Sequence, residues 1–233
     1  MSAILEARGV RKTYRGGDDN PVEVLTGIDL SIYRGQVLAV VGASGAGKST
    51  LLHLLGALDI PTGGDIALEG VSYAGLSEEA KGDLRNSRIG FVFQFHHLLR
   101  EFTALENVMM PLLIAGWPDG RARSRAEELL AAVDLAGRMS HRPAELSGGE
   151  QQRCAVARAL VHDPKVLLAD EPSGNLDFVN SGRVHDLLLN LARSFETALV
   201  VATHNRTLAE RADRILLLEG GRLHPVGTTQ AVP

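Results

Sequence analysis

Nine residues, GASGAGKST from Gly42 to Thr50, fit the spacing G-x-x-x-x-G-K-[ST] and sit between a strand-like run and a helical one. In a chain of 233 residues that pattern arises by chance roughly 1% of the time or less, before its setting is demanded. Gly42, Gly45 and Gly47, with Ser44 and Ala46 among them, let backbone N–H groups wrap closely around phosphate oxygens, and the next helix presents its positive end to the same charge. Lys48 is placed to reach β- and γ-phosphates. The hydroxyl of Ser49, followed by Thr50, is the hard oxygen ligand that Mg²⁺ prefers. Asp170, at the end of the apolar run VLLAD, supplies a carboxylate to hold such an ion through water. Glu171 follows directly. A second carboxylate beside triphosphate charge is costly unless it orients or deprotonates an attacking water, so the set predicts hydrolysis of a nucleoside triphosphate rather than a kinase reaction.

A scaffold that brings a phosphate loop and a strand-end carboxylate pair together must alternate strands with helices. QVLAVVG (36–42) predicts a buried strand and STLLHLLGAL (49–58) the helix after it. DIALEG (65–70), RIGFVF (88–93), KVLLAD (165–170), TALVVAT (197–203) and DRILLLEGGRL (213–223) predict further strands, with turns at PTGG (61–64) and EGG (219–221). Such alternation implies a largely parallel sheet covered by helices. From about 95 to 163 the pattern changes to helical runs such as RARSRAEELLAAVDL, with almost no strand-like stretch. The expected fold is therefore α/β: a P-loop NTPase core with a mainly parallel sheet and an inserted helical subdomain. It forms a single domain over 1–233, with 1–94 and 164–233 as the nucleotide-binding core and 95–163 as the insertion. Pro111 interrupts VMMPLLIAG, so a helix there is expected to bend or restart near Met110.

Composition narrows the classes of function. A net charge of −4 without a sustained Lys/Arg block argues against a protein whose main work is gripping nucleic acid. One cysteine, Cys154, cannot staple the chain and fits a reducing compartment. No leader-like segment opens the sequence and no run approaches the ~20 apolar residues that cross a bilayer, so work at a membrane would need other subunits' helices. His53 and Cys154 lie among apolar helical neighbours and are expected to pack. His141, His162, His185 and His224 show no metal-ligand spacing.

LSGGEQQR (146–153) lies about twenty residues before DEP, its glycines opening the helix EQQRCAVARAL. It resembles the signature sequence of ABC-transporter ATPases, and other stations follow in that family's order over essentially the whole chain. The resemblance implies that Gln94 is the Q-loop residue, touching both the metal and the hydrolytic site, that SGNLD (173–177) is the D-loop ending in Asp177, and that His204 in VVATHN is the switch histidine at the γ-phosphate. It implies that Tyr14 stacks on adenine. It also implies a head-to-tail homodimer in which the Lys48 loop of one copy and Ser147, Gly148 and Gly149 of the other enclose each ATP with its Mg²⁺. Arg100, Ser173 and Asn205 depart from the family's commoner proline, threonine and aspartate. Within the family, LLHLLGALDIPTGG (51–64), LADEPSGNLD and above all FQFHHLLREFTALENVMMPLLIAG (93–116) resemble the lipoprotein-releasing group. That implies a peripheral subunit on the cytoplasmic face of a bacterial inner membrane, driving integral LolC/LolE-type subunits that handle the lipoprotein. Macrolide-exporter-like and cell-division-like relatives share the ALENV part. A soluble ABC ATPase would be expected to carry two nucleotide domains or a long coiled-coil insertion.

Two adjacent histidines in FHHLL have no acidic or cysteine neighbours at ligand spacing, so a metal site is disfavoured. In a strand, Phe91, Phe93 and Phe95 would share one face and Val92 and Gln94 the other. Phe95, Leu98, Leu99 and Phe102 are expected to line a groove for an apolar helix of the membrane subunits, with His96 and His97 on its rim.

Overall fold

The structure is a computed structural model describing residues 2–15, 17 and 20–226. The tail from 227 onward, inside the domain expected for 1–233, lies outside the described residues. Ten strands occur among the described residues: β1 Leu5–Arg15, β2 Pro21–Ile32, β3 Val37–Val41, β4 Gly63–Leu68, β5 Val71–Ser72, β6 Ile89–Val92, β7 Val166–Asp170, β8 Ala198–Ala202, β9 Arg214–Glu219 and β10 Arg222–Pro225. The helices are α1 Lys48–Leu55, α2 Glu78–Arg88, α3 Ala104–Ile114, α4 Asp119–Ala132, α5 Gly148–Leu160, α6 Phe178–Ser194 and α7 Arg206–Ala209.

The strands form two sheets. A six-stranded sheet runs in the order β10-β9-β3-β8-β7-β6, parallel except for β10. Its central strands are apolar along their whole length because both faces are covered. Alternation along β3 sends Val37, Ala39 and Val41 into a core shared with α3, α4, α5 and α6, while Leu38 and Val40 enter a second core with α1 and the other sheet. Strands β7 and β8 divide their side chains the same way, Leu167 and Leu199 to one core, Leu168 and Val200 to the other. Each such burial of a valine or leucine is worth about 1.5–3 kcal/mol relative to exposure, which holds the strand ends that bear Gly42, Asp170 and Thr203.

The second sheet, β2-β1-β4-β5, is antiparallel and was not expected from the sequence. Bulges break the period of β1: its register shifts between Ala7 and Val10, around a left-handed Gly9 at φ 57°. Pro111 also departs from expectation, since α3 runs unbroken through it. The missing N–H costs one ladder bond, offset by the burial of Leu105, Val108, Met109 and Leu112, and by a complete capping box of Thr103 and Glu106 at the start. Asn107 in the same helix is fully buried and ties back the preceding loop, its amide donating to the carbonyls of Leu99, Phe102 and Thr103.

Candidate functional site

Strand β3 delivers the chain into the glycine loop, and three glycines adopt conformations that side chains rarely take: Gly42 at φ 155°, Gly45 at 79° and Gly47 at 100°. A Cβ on Gly42 would stand 2.6 Å from the carbonyl oxygen of Leu218, and one on Gly47 would stand 2.8 Å from Val24. The loop is therefore fixed in shape by its surroundings as well as by its own residues. Gly47 caps α1 with no side chain in the way, leaving the first N–H groups of the helix open toward a ligand. Lys48 folds over the loop, its Nζ donating to the carbonyls of Gly42 at 2.8 Å and Ala43 at 3.0 Å.

Around this loop lies a cavity of about 400 Å³, lined by Ser44, Gly45, Gly47, Lys48, Ser49 and Thr50 together with Val24, Gln94, Asp170 and Glu171. Residues more than 120 positions apart thus meet because β3 and β7 flank β8 and end on the same edge of the sheet. Glu171 takes a left-handed backbone, φ 44°, which turns its side chain back toward β8. Its Oε1 accepts from the backbone N–H of His204 at 3.0 Å and from His204 Nδ1 at 2.7 Å, and its Oε2 accepts from the Thr203 hydroxyl at 3.2 Å. The imidazole is otherwise exposed, with Nε2 the nitrogen left to meet another group.

Gln94 is held through Asn175: its Nε2 donates to Asn175 Oδ1 at 3.0 Å, and Asn175 Nδ2 donates to the Gln94 carbonyl at 3.1 Å. Tyr14, on β1, is 40% exposed, enough to offer a ring face. Behind it, Lys12 Nζ stands 4.8 Å from the ring centroid and bonds Asp59, which also accepts from the Tyr14 hydroxyl at 2.8 Å. Burial and then the Asp59 contact raise the Tyr14 phenol above its usual range, with the Thr50 hydroxyl pulling the other way. Neither Tyr14 nor His204 lines the cavity itself, nor do Gly42 and Ala46.

Ser147, Gly148 and Gly149 also lie outside that cavity, at the start of α5. Ser147 caps the helix and Glu150 completes the box, accepting from the Ser147 N–H and hydroxyl, each at 2.8 Å. Those two donors hold the Glu150 carboxyl far down, at about 2, and Arg138 at 3.0 Å adds to the effect. Close by, Asp177 caps α6 by accepting from Asn180 N–H, which lowers its carboxyl. The side chain of Asn180 packs against Gly149 so tightly that a Cβ there would meet it at 3.0 Å. Ser147, Gly148 and Asp177 are thus exposed around the buried Gly149, flanked by Phe178, which is 91% exposed.

The FHHLL stretch differs from expectation in three respects. Strand β6 ends at Val92; Phe91 and Phe93 stack at 5.6 Å, but Phe95 turns outward and is 65% exposed. His96 is no rim residue, since its Nδ1 donates to Oε1 of the fully buried Gln152 at 2.5 Å. Leu98 is half-buried against the helical core. His97 and Leu99 remain exposed. The segment is clamped to α5: Gln152 Nε2 donates to the Phe93 carbonyl at 3.1 Å, and Arg158 donates to the carbonyls of His96 and His97, each at 2.8 Å. Sequence reasoning missed Gln152 and Arg158, although an amide and a guanidinium among the apolar residues of a helix face were a signal. A second cavity, of about 190 Å³, opens beside this clamp between Phe91, Phe93, Asn86, Pro111 and His162. There His162 Nε2 is buried without a hydrogen-bond partner.

Comparison with known proteins adds three findings. Residues 25–174 match the family described as ABC transporter. The chain is 54% identical over 222 residues to the lipoprotein-releasing system ATP-binding protein LolD of Xanthomonas axonopodis pv. citri, covering 95% of this chain and 91% of that one. It is 53% identical over 221 residues to the protein of the same name from Legionella pneumophila, covering 95% and 97%. Among solved structures, the ATP-binding cassette MJ0796, a dimer in a post-hydrolysis state bound to ADP and Pi, superposes with a TM-score of 0.88 at 34% identity, covering 97% of this chain and 100% of that one.

Proposed function

The chain belongs to the ABC transporter family, and from that membership we propose that it is the ATP-hydrolysing subunit of a lipoprotein-releasing complex. One observation carries the catalytic part: the glycine loop, Gln94, Asp170 and Glu171 line one cavity while Ser147–Gly149 lie outside it, at the start of α5. A single copy therefore holds two half-sites, and a second copy in head-to-tail arrangement completes each, with ATP between them. The dimeric ADP-bound cassette of the same fold supports this. The 54% relatives favour lipoprotein release over macrolide-exporter-like or cell-division-like roles.

In this reading Lys48 leaves the carbonyls of Gly42 and Ala43 for the β- and γ-phosphates, and N–H groups of the loop and of α1 take the remaining oxygens. Tyr14 stacks on adenine, its ring backed by Lys12. Ser49, Gln94 and Asp170 bring oxygen donors to the one cavity, a set that suits Mg²⁺, which takes few protein ligands and completes its shell with water and phosphate. When bound, that ion offsets charge on the phosphates. Glu171 orients the attacking water and accepts its proton, while His204 Nε2 meets the γ-phosphate. Ser147, Gly148 and Gly149 of the second copy close the site with the start of α5, and Asp177 lies on the same face.

Among the described residues no helix is long and apolar enough to cross a membrane, so the coupling passes to separate integral subunits of the LolC/LolE type at the cytoplasmic face. Phe95 and His97 offer the exposed contact, beside the 190 Å³ cavity between β6, α3 and α5. The helical part, 95–163, is the subdomain that carries this contact together with the signature.

Replacing Glu171 with Gln leaves the phosphate and metal ligands in place, so turnover falls at least a hundredfold, to the order of 10²–10⁴ below wild type, while ATP still binds. The ATP-bound dimer then accumulates on gel filtration. Lys48→Ala instead weakens ATP binding itself, by roughly tenfold or more, through loss of a charge-assisted contact. A Glu171→Gln protein that stays monomeric at saturating ATP and Mg²⁺ rejects the shared site.

A further inference from the structure

His185, on α6, is 3% exposed and has no part in the hydrolytic scheme above. Burial, aided by the charge of Arg211 and opposed by Asp186, holds its imidazole below the ordinary range, so the ring sits neutral in the interior. A hydrogen bond of 2.7 Å joins its Nε2 to the hydroxyl of Ser173, which is itself only 9% exposed. Ser173 stands two residues beyond Glu171, inside consecutive tight turns: the Glu171 carbonyl accepts from Gly174 N–H at 3.0 Å, and the Ser173 carbonyl from Leu176 N–H at 3.1 Å.

The opposite side of the same turn touches Gln94. A Cβ on Gly174 would lie 2.9 Å from Gln94 Nε2, and the next residue, Asn175, exchanges two hydrogen bonds with Gln94. The turn therefore carries Glu171 at its start and fixes Gln94 near its end. Its other side-chain tie to α6 within residues 171–176 is the Ser181 hydroxyl, which reaches the carbonyls of Ser173 and Leu176 at 3.5 and 3.4 Å, too long to hold a register firmly. The short bond to His185 is the firm one. Glu171 sits at φ 44°, a strained conformation that persists only while its neighbours enforce it.

We propose that His185 is a positioning residue for ATP hydrolysis, which through the Ser173 hydroxyl sets the turn that aims Glu171 and holds Gln94. It never touches nucleotide. The inference rests on the ATPase reading above and extends it to a buried pair behind the site.

Steady-state ATP hydrolysis by the full-length chain, read as separate kcat and KM, tests it. Ser173→Ala and His185→Phe each lower kcat about tenfold while KM for ATP stays within about twofold, because neither side chain lines the nucleotide cavity. His185→Gln, which places an amide near the position of Nε2, recovers most of the loss. The double variant Ser173→Ala with His185→Phe is about as slow as the slower single one, since both remove the same bond. Ser173→Ala deletes one oxygen, so it decides the matter even if His185→Phe fails to fold. Normal kcat in Ser173→Ala, or a lowered melting temperature with kcat unchanged below it, overturns the proposal. A wild-type chain that hydrolyses no ATP overturns the ATPase reading instead.

Discussion

Glu150 shows how one side chain fixes a helix end. Its carboxylate satisfies the Ser147 N–H and hydroxyl at the start of α5. The usual carboxyl value of 4.5 is lowered to about 2 in the fold, so the carboxylate stabilises the folded state fully above 4.5, and that contribution is lost as pH falls from 4.5 toward 2. Thermal melts across that window should show Glu150→Gln less stable than wild type at pH 6 and converging with it near pH 2. A difference that stays constant with pH would contradict the assignment. At this scale the residues of the phosphate loop, Asp170 and Glu171 were legible because their spacing is local and each type has one obvious employment. Asn175, Gln152 and His185 were not, because each acts through a partner 12 to 81 positions away, and a single sequence does not display pairing.

Helix α5 links the two ends of the proposed machine. Its first residues form the signature, while Gln152 and Arg158 grip the segment from Phe93 to His97. Any displacement of α5 would therefore carry the Phe95 region with it. Phe95→Asp changes a side chain that is 65% exposed, so the melting temperature should stay within about 2 °C of wild type, while copurification with the integral membrane subunits weakens and lipoprotein release falls. Undiminished release by the folded variant would remove Phe95 from the docking surface. Leu98→Asp is the wrong probe, because Leu98 packs against the helical core and the substitution would destabilise the chain. Parallel strands such as β3 and β8 were readable as apolar runs. β1 was not, since its bulges scramble the two-residue period, and Pro111 misled because burial on α3 outweighs one missing ladder bond.

The whole molecule is drawn through the six-stranded sheet. Successive side chains of β3, β7 and β8 alternate between the core under the helices and the core under the antiparallel sheet, so the two cores share these central strands. Melting the helical insertion alone would strip one face from strands that the other core still needs. The two halves should therefore lose their structure in a single cooperative step, despite the insertion's separate place along the chain. Scanning calorimetry of the nucleotide-free protein should give one endotherm, with calorimetric and van't Hoff enthalpies in agreement. Two resolved endotherms would mean that the helical half holds itself together. In a chain built this way heat taken up by one half is shared by the other, and the thermal enthalpy of a single copy is the quantity that reports how tightly they are joined.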